Sequence, residues 1–218
     1  MDKDTSWRII DEHRVAVADL LETLTPEQWS SPSLCEGWTV RDVAAHLSVA
    51  ATAPAREVLG YVVRARGNFD RMIHDSAVDR ARQRPAEHIV ADLRSIVGSR
   101  KLAPGTFWRD PLLDIVIHGQ DIARPLGLTL HPPANASRTA AEWAWQRRFP
   151  FFPARRLRGL RLVAEDVEWT RGNGAELRGP VLSLLLISTG RPAGLRELSG
   201  PGLDTARHLI TAATAPRP

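Results

Sequence analysis

Residues 109–127, RDPLLDIVIHGQDIARPLG, constrain this chain more than any other stretch. Asp110 followed by Pro111 reads as an N-cap with proline at the first helical position, and Pro125 marks the end, so the segment is expected to be a helix. Leu113, Ile115, Ile117 and Ile122 make it border a core, yet Asp114, His118 and Asp121 stand at i, i+4 and i+7 on one face. Burying a carboxylate or imidazole there without a partner would cost several kcal/mol. Three arrangements avoid that cost: the face is solvated, the charges pair with one another, or a metal ion sits among them.

Other helices flank this one. Trp7, Ile10, Val17, Leu20, Leu21 and Leu24 recur at three- and four-residue spacing and predict a helix from Asp4 to Leu24. Thr25-Pro26 opens a short turn through Trp29. SSPSLCEG is a loop. The stretch TVRDVAAHLSVAATAPAREVLGYVVRA has Val40, Val43, Leu47 and Ala50 on one stripe, a T-x-x-D capping box at Thr39 and Asp42, and a kink expected at Pro54. Residues 67–84 are polar and arginine-rich with little pattern. Further helices are expected over Pro85–Gly98 and Ser137–Phe149.

Beyond residue 150 the pattern changes. RGLRLVAEDVEWTRGNGAELRG alternates apolar and polar residues around GNG, which signals a β-hairpin. PVLSLLLISTGR reads as a buried helix stopped by Gly190, and GLDTARHLITAA as a terminal one. The organisation expected is a helical bundle over 1–150 and a small α+β unit over 151–218.

Composition narrows the class. The chain is 43% apolar and 25% charged with a single cysteine, Cys35, which excludes an internal disulfide. Its start is charged, and its longest apolar run, VLSLLLI at 181–187, is far short of the roughly 20 residues of a membrane span. A cytoplasmic protein with no membrane partner is expected. The net charge of +4 is modest and almost wholly due to arginine. No basic face interleaved with aromatics points to nucleic acid. The densest arginine cluster, QRRFPFFPARRLRGLR, reads as solvated surface or linker, with reception of an anion as the alternative.

Asp-x-x-x-His can give one divalent metal a carboxylate oxygen and an imidazole nitrogen. A tetrahedral catalytic zinc needs a third protein ligand, for which His46, at the edge of the Val43/Leu47 stripe, is the leading candidate. Asp114 and His118 can equally be a helix-stabilising pair. Asp121 either fixes a histidine tautomer behind the metal or pairs with Arg124 at i+3. Cys35 is either a thiolate ligand or a packed loop residue, and its surroundings favour packing. His13, His74, His88, His131 and His208 sit in polar surroundings and are assigned no role.

Two segments carry a resemblance. SLCEGWTVRDVAAHL (33–47), with its W-T-V-R-D-x-x-x-H-L run, and LLDIVIHGQDIARPLG (112–127), with its E/D-x-x-x-H-x-x-D pattern, resemble the mycothiol-dependent maleylpyruvate isomerase-like proteins. These belong to the DinB/YfiT-like superfamily of metal-binding four-helix bundles. TGRPAGLRELSGPG is similar to the G-R-x-x-x-x-L-x-G-x-G ending of their C-terminal domain. The resemblance implies a mainly α fold, a DinB-like four-helix bundle with a small C-terminal α+β domain. It also implies zinc or another divalent metal held by His46, Asp114 and His118, and mycothiol, a sugar-linked cysteine thiol of actinobacteria, as cosubstrate. The family pattern has glutamate where this chain has Asp114, one methylene shorter, so the backbone must come closer to the metal or the coordination must change.

Two neutral imidazoles and one carboxylate leave a zinc site near +1, which a bound thiolate would neutralise. The sulfur could then attack a conjugated double bond, for isomerisation, or a leaving-group carbon, for transfer. Arginines could orient a carboxylate on the electrophile, and the sequence selects none of them. Two other readings use the same residues. Water in place of the thiol gives a metal-dependent hydrolase. A polar network without metal gives a non-catalytic binding protein. A monomer and a homodimer both fit the sequence.

Overall fold

The computed structural model describes residues 1–52, 55–102 and 105–214, and within its helices the side chains outside 49–58 and 212–214. By packing, the chain falls into a unit of residues 2–130 and a unit of residues 131–218.

Local signals set the helix ends of the first unit. Helix α1 (Lys3–Glu22) begins where Asp2 Oδ1 accepts the Thr5 N–H at 2.8 Å. The single turn α2 (Pro26–Trp29) is closed by a reciprocal Thr25–Gln28 capping box. At α3 (Val40–Thr52) the expected T-x-x-D box forms: Asp42 Oδ2 accepts the Thr39 N–H at 2.8 Å, and the Asp42 N–H donates to Thr39 Oγ1 at 3.3 Å. Helix α4 (Ala55–Arg64) follows; the kink expected at Pro54 and the Ala50 side chain lie outside the described residues. Then come α5 (Phe69–Gln83), α6 (Ala86–Ser95) and α7 (Asp110–Ala123).

Helix α1 packs on α6 and α7, and α3 packs on the same two, so α1, α6, α3 and α7 close a four-helix bundle. Its interior is filled by Ile10, Val17 and Leu21 of α1, Val43 and Leu47 of α3, Ile89 and Leu93 of α6, and Leu112, Ile117 and Ile122 of α7, all buried. Each contributes about 1.5–3 kcal/mol relative to exposure. No helix among the described residues is long and apolar enough to cross a membrane.

Three expectations need correction here. Residues 69–83, read as patternless, form α5 and pack on α3. The buried side of α5 is Ser76, Ala77, Arg80 and Ala81, with Arg80 meeting Asp92 of α6 at 2.9 Å, so no apolar stripe announces it. Asp110 is the first residue of α7 and not its cap; its Oδ2 accepts the Phe107 N–H at 2.6 Å and fastens the turn leading in. The bundle unit ends at 130, whereas residue 150 was expected. Helix α8 (Ala134–Arg147) packs on a later helix of the second unit, through Ala140, Ala141 and Ala144 among its buried residues.

That second unit continues with α9 (Pro153–Arg156), β1 (Leu160–Ala164), β2 (Thr170–Gly172), β3 (Ala175–Gly179), the α8 partner α10 (Val181–Ser188), and α11 (Leu203–Thr214). The sheet order is β2-β1-β3, with β1 antiparallel to β2 and parallel to β3. GNG therefore does not close a hairpin between paired strands; it carries the chain across the start of β1, from one edge strand to the other. Gly172 (φ +80°) and Gly174 (φ +125°) permit this, because a Cβ at either would collide with the carbonyl oxygen of Leu160 or Gly159, respectively. The hairpin turn lies instead at residues 165–169, between β1 and β2.

Candidate metal centre

The centre is assembled inside the first unit from one loop and two helices. The loop at 31–39 is tied back on itself: Ser33 N–H donates to the Trp38 carbonyl at 2.9 Å and Trp38 N–H to the Cys35 carbonyl at 3.1 Å, with Gly37 at φ +76° allowing the turn. It docks on the end of α7 through Leu34 N–H, which donates to the Asp121 carbonyl at 3.2 Å. The loop thereby holds Cys35 and Trp38 against the polar face of α7, while α3 brings His46 from the opposite side.

His46, Asp114 and His118, the predicted ligands, do come together. Asp114 Oδ1 lies 3.3 Å from His46 Nε2 and 3.3 Å from His118 Nε2. Ligands about 2.0–2.1 Å from a tetrahedral zinc stand roughly 3.3–3.4 Å apart, so these spacings fit such an ion. The two imidazoles meet edge to face, with ring centroids 4.8 Å apart. The shorter aspartate at 114 thus reaches both nitrogens from its place on α7.

Asp121 stands behind His118. Its Oδ2 lies 2.8 Å from His118 Nδ1, and the carboxylate is fully buried. Cys35 Sγ donates to the same oxygen at 3.0 Å and lies 3.7 Å from His118 Nδ1. Cys35, His118 and Asp121 are therefore a second set of donors close enough for an ion, sharing His118 with the first. Arg124, at the end of α7, donates from Nε to Gln120 Oε1 at 2.9 Å.

Two members of the site, Cys35 and Trp38, were not assigned to it from the sequence. The Trp38 ring centroid is 5.4 Å from that of His46 and 6.4 Å from that of His118, where the rings stack. With only 9% of its surface exposed, Trp38 covers both imidazoles. The signal for both residues was the SLCEGW loop next to the capping box.

The electrostatics follow from this crowding. Burial would raise the Asp114 carboxyl, but the charges of His46 and His118 and their hydrogen bonds overrule it and hold the group well below the usual carboxylate range. Burial would likewise lower His118, yet its bonds to Asp114, Asp121 and Cys35 together with the Asp114 charge push it well above an ordinary histidine. Without a metal, the protonated form of His118 is thus favoured between Asp114 and Asp121.

Residues 10–108 match the family model described as mycothiol maleylpyruvate isomerase N-terminal domain. That span includes Cys35, Trp38 and His46 and stops just short of α7. A comparison with curated protein sequences gives no match. Among solved structures, the crystal structure of the mycothiol-dependent maleylpyruvate isomerase and that of its histidine-to-alanine mutant each match with a TM-score of 0.58 at 14% identity, over 92% of this chain and 93% of theirs. At that identity the likeness establishes the shared fold. Taken with the family match over residues 10–108, it bears out the resemblance of this chain to the mycothiol-dependent maleylpyruvate isomerase-like proteins.

Proposed function

We propose that this chain is a divalent-metal-dependent enzyme of the transferase or isomerase type, using a low-molecular-weight thiol, mycothiol, against a small electrophile. The observation that carries the metal is the single Asp114 oxygen at 3.3 Å from two imidazole nitrogens on different helices. The family match and the name of the structural relatives support the thiol. His46, Asp114 and His118 would hold the ion, zinc being the usual choice for this donor set. A divalent cation there supplies a Lewis acid that lowers the pKa of a thiol and favours its thiolate.

The protein's own groups prepare that chemistry. Asp121 holds His118 through Nδ1 and so directs Nε2 toward Asp114. Trp38 covers the imidazoles and restricts water around them. One carboxylate among the three donors leaves a single positive charge to be matched by one thiolate. Asp121→Asn is expected to weaken metal binding about 10–100-fold with the three ligands intact, as read by competition with a chromophoric chelator.

A second reading, a buried polar network without metal, is favoured by the way His118 already satisfies Asp114 and Asp121 through its two ring nitrogens. Elemental analysis of protein purified without a histidine tag separates the two. The enzyme reading expects about one metal per chain and a lower Tm after chelation. The network reading expects no metal and an unchanged Tm.

A further inference from the structure

We infer that Cys35 is a positioning residue for the metal centre, its thiol holding Asp121 in the place from which Asp121 holds His118; this rests on the metal-dependent reading above. Cys35, His118 and Asp121 form a donor set close enough for an ion, but their spacings are those of hydrogen bonds. In a tetrahedral zinc site a thiolate sulfur stands roughly 3.5 Å from a nitrogen or oxygen ligand, and those two stand about 3.3 Å from each other. Here Asp121 Oδ2 is 3.0 Å from the sulfur and 2.8 Å from His118 Nδ1. Both distances are about half an ångström too short for ligands around one ion. An ion at this place would have to push Asp121 away from both its partners.

Two donors converging on one oxygen fix the protons. A carboxylate only accepts, so the Cys35 sulfur keeps its hydrogen and the His118 ring carries one on Nδ1. The sulfur stands 3.7 Å from Nδ1, farther than the oxygen does, which leaves Asp121 as the acceptor of both. With Nδ1 protonated, the nitrogen of His118 left to bind a metal is Nε2, the atom that faces Asp114.

Cys35 reaches Asp121 because its loop is clamped there twice. Leu34 N–H donates to the Asp121 carbonyl at 3.2 Å, and the thiol of the next residue donates to the side chain of the same aspartate. Inside the loop, Ser33 Oγ accepts the Cys35 N–H at 3.1 Å and donates to the Trp38 carbonyl at 2.9 Å, which fixes the Cys35 backbone. The Asp121 side chain is fully buried, so its hydrogen-bond donors, and not solvent, orient it. A looser carboxylate would let the His118 ring turn and carry Nε2 away from Asp114.

Zinc affinity, read by competition with a chromophoric chelator, tests this in Cys35→Ala, Cys35→Ser, Asp121→Asn and the double variant Cys35→Ala/Asp121→Asn. Cys35→Ala is expected to weaken zinc about three- to tenfold, the worth of one hydrogen bond. Cys35→Ser keeps a donor and is expected to bind zinc within about twofold of the unaltered protein. In the Asp121→Asn background, Cys35→Ala is expected to cost little more, because the thiol acts through the carboxylate. Equal losses in Cys35→Ala and Cys35→Ser, or a full further loss in the double variant, make Cys35 a ligand or a packing residue and overturn the assignment. Unchanged or tighter binding in Cys35→Ala overturns it too. If the unaltered protein binds no zinc, the metal-dependent reading fails. The NMR resonance of the His118 Nδ1 proton in the metal-free protein then decides the hold of Cys35 on Asp121 and His118. A shift in Cys35→Ala that Cys35→Ser reverses upholds it, and a resonance unmoved by Cys35→Ala overturns it.

Discussion

His118→Ala is expected to strip the protein of stoichiometric metal and to lower its Tm even when metal is absent. Two effects are joined in this side chain. Nε2 is one of three candidate donors, with His46 Nε2 and Asp114 Oδ1, and the two that remain do not make the site. Nδ1 faces the Asp121 carboxylate at 2.8 Å, which is fully buried and would lose its positive partner. Removing one member of a buried pair costs about 3 kcal/mol, because the other charge stays desolvated. For a chain of this size that is a fall of roughly 6–12 °C. The double variant His118→Ala/Asp121→Asn separates the two effects, since a neutral amide needs no counter-charge. It should recover part of the lost Tm and none of the metal. Elemental analysis and thermal denaturation of the two variants read this out. Full metal content in His118→Ala would move the centre away from these ligands.

The grouping of the candidate ligands was legible from the sequence for a simple reason. Helical periodicity is a local rule, so Asp114, His118 and Asp121 had to share a face once their segment was a helix. His46 followed from the stripe on its own helix. Cys35 and Trp38 obey no such rule. They reach the site because the Leu34 N–H docks their loop on the Asp121 carbonyl, a contact 87 residues apart in the chain that no spacing encodes. Their role in the centre is therefore a product of tertiary structure.

The same distinction explains the fold. Helices with Leu, Ile and Val stripes were found within a few residues of their ends. Helix α5 was missed because Ala77, Ala81 and Arg80 bury its face, and alanine and arginine carry no apolar moment. The β2-β1-β3 order was missed because the parallel pairing of Leu160–Ala164 with Ala175–Gly179 is non-local, while alternation around GNG suggests only a local hairpin. Helix α8 was assigned to the bundle by proximity in sequence, though its alanine face packs on α10.

Metal affinity should fall steeply as pH is lowered, and the free and metal-bound proteins should respond to pH in opposite directions. In the metal-free protein His118 titrates well above an ordinary histidine. Its protonated form is the one stabilised by folding, so its contribution is complete below about pH 6.5, the unfolded value, and is lost as pH rises through its raised folded value. Asp114 behaves in the opposite sense. Its depressed carboxyl contributes stability above the ordinary aspartate value near pH 4, and that contribution is lost only as pH falls toward its lowered value. The free protein is therefore best supported by this cluster between about pH 4 and 6.5. A metal must displace the His118 proton, so while that proton is held each unit of pH lowered costs about tenfold in affinity, near 1.4 kcal/mol. Affinity is therefore expected to fall from pH 8 to pH 6. Thermal scans with and without zinc across that range should show the stabilisation by metal growing with pH as the free protein weakens. An affinity flat across it would mean that His118 is already neutral in the free protein, and that the pairing with Asp114 and Asp121 does not hold its proton.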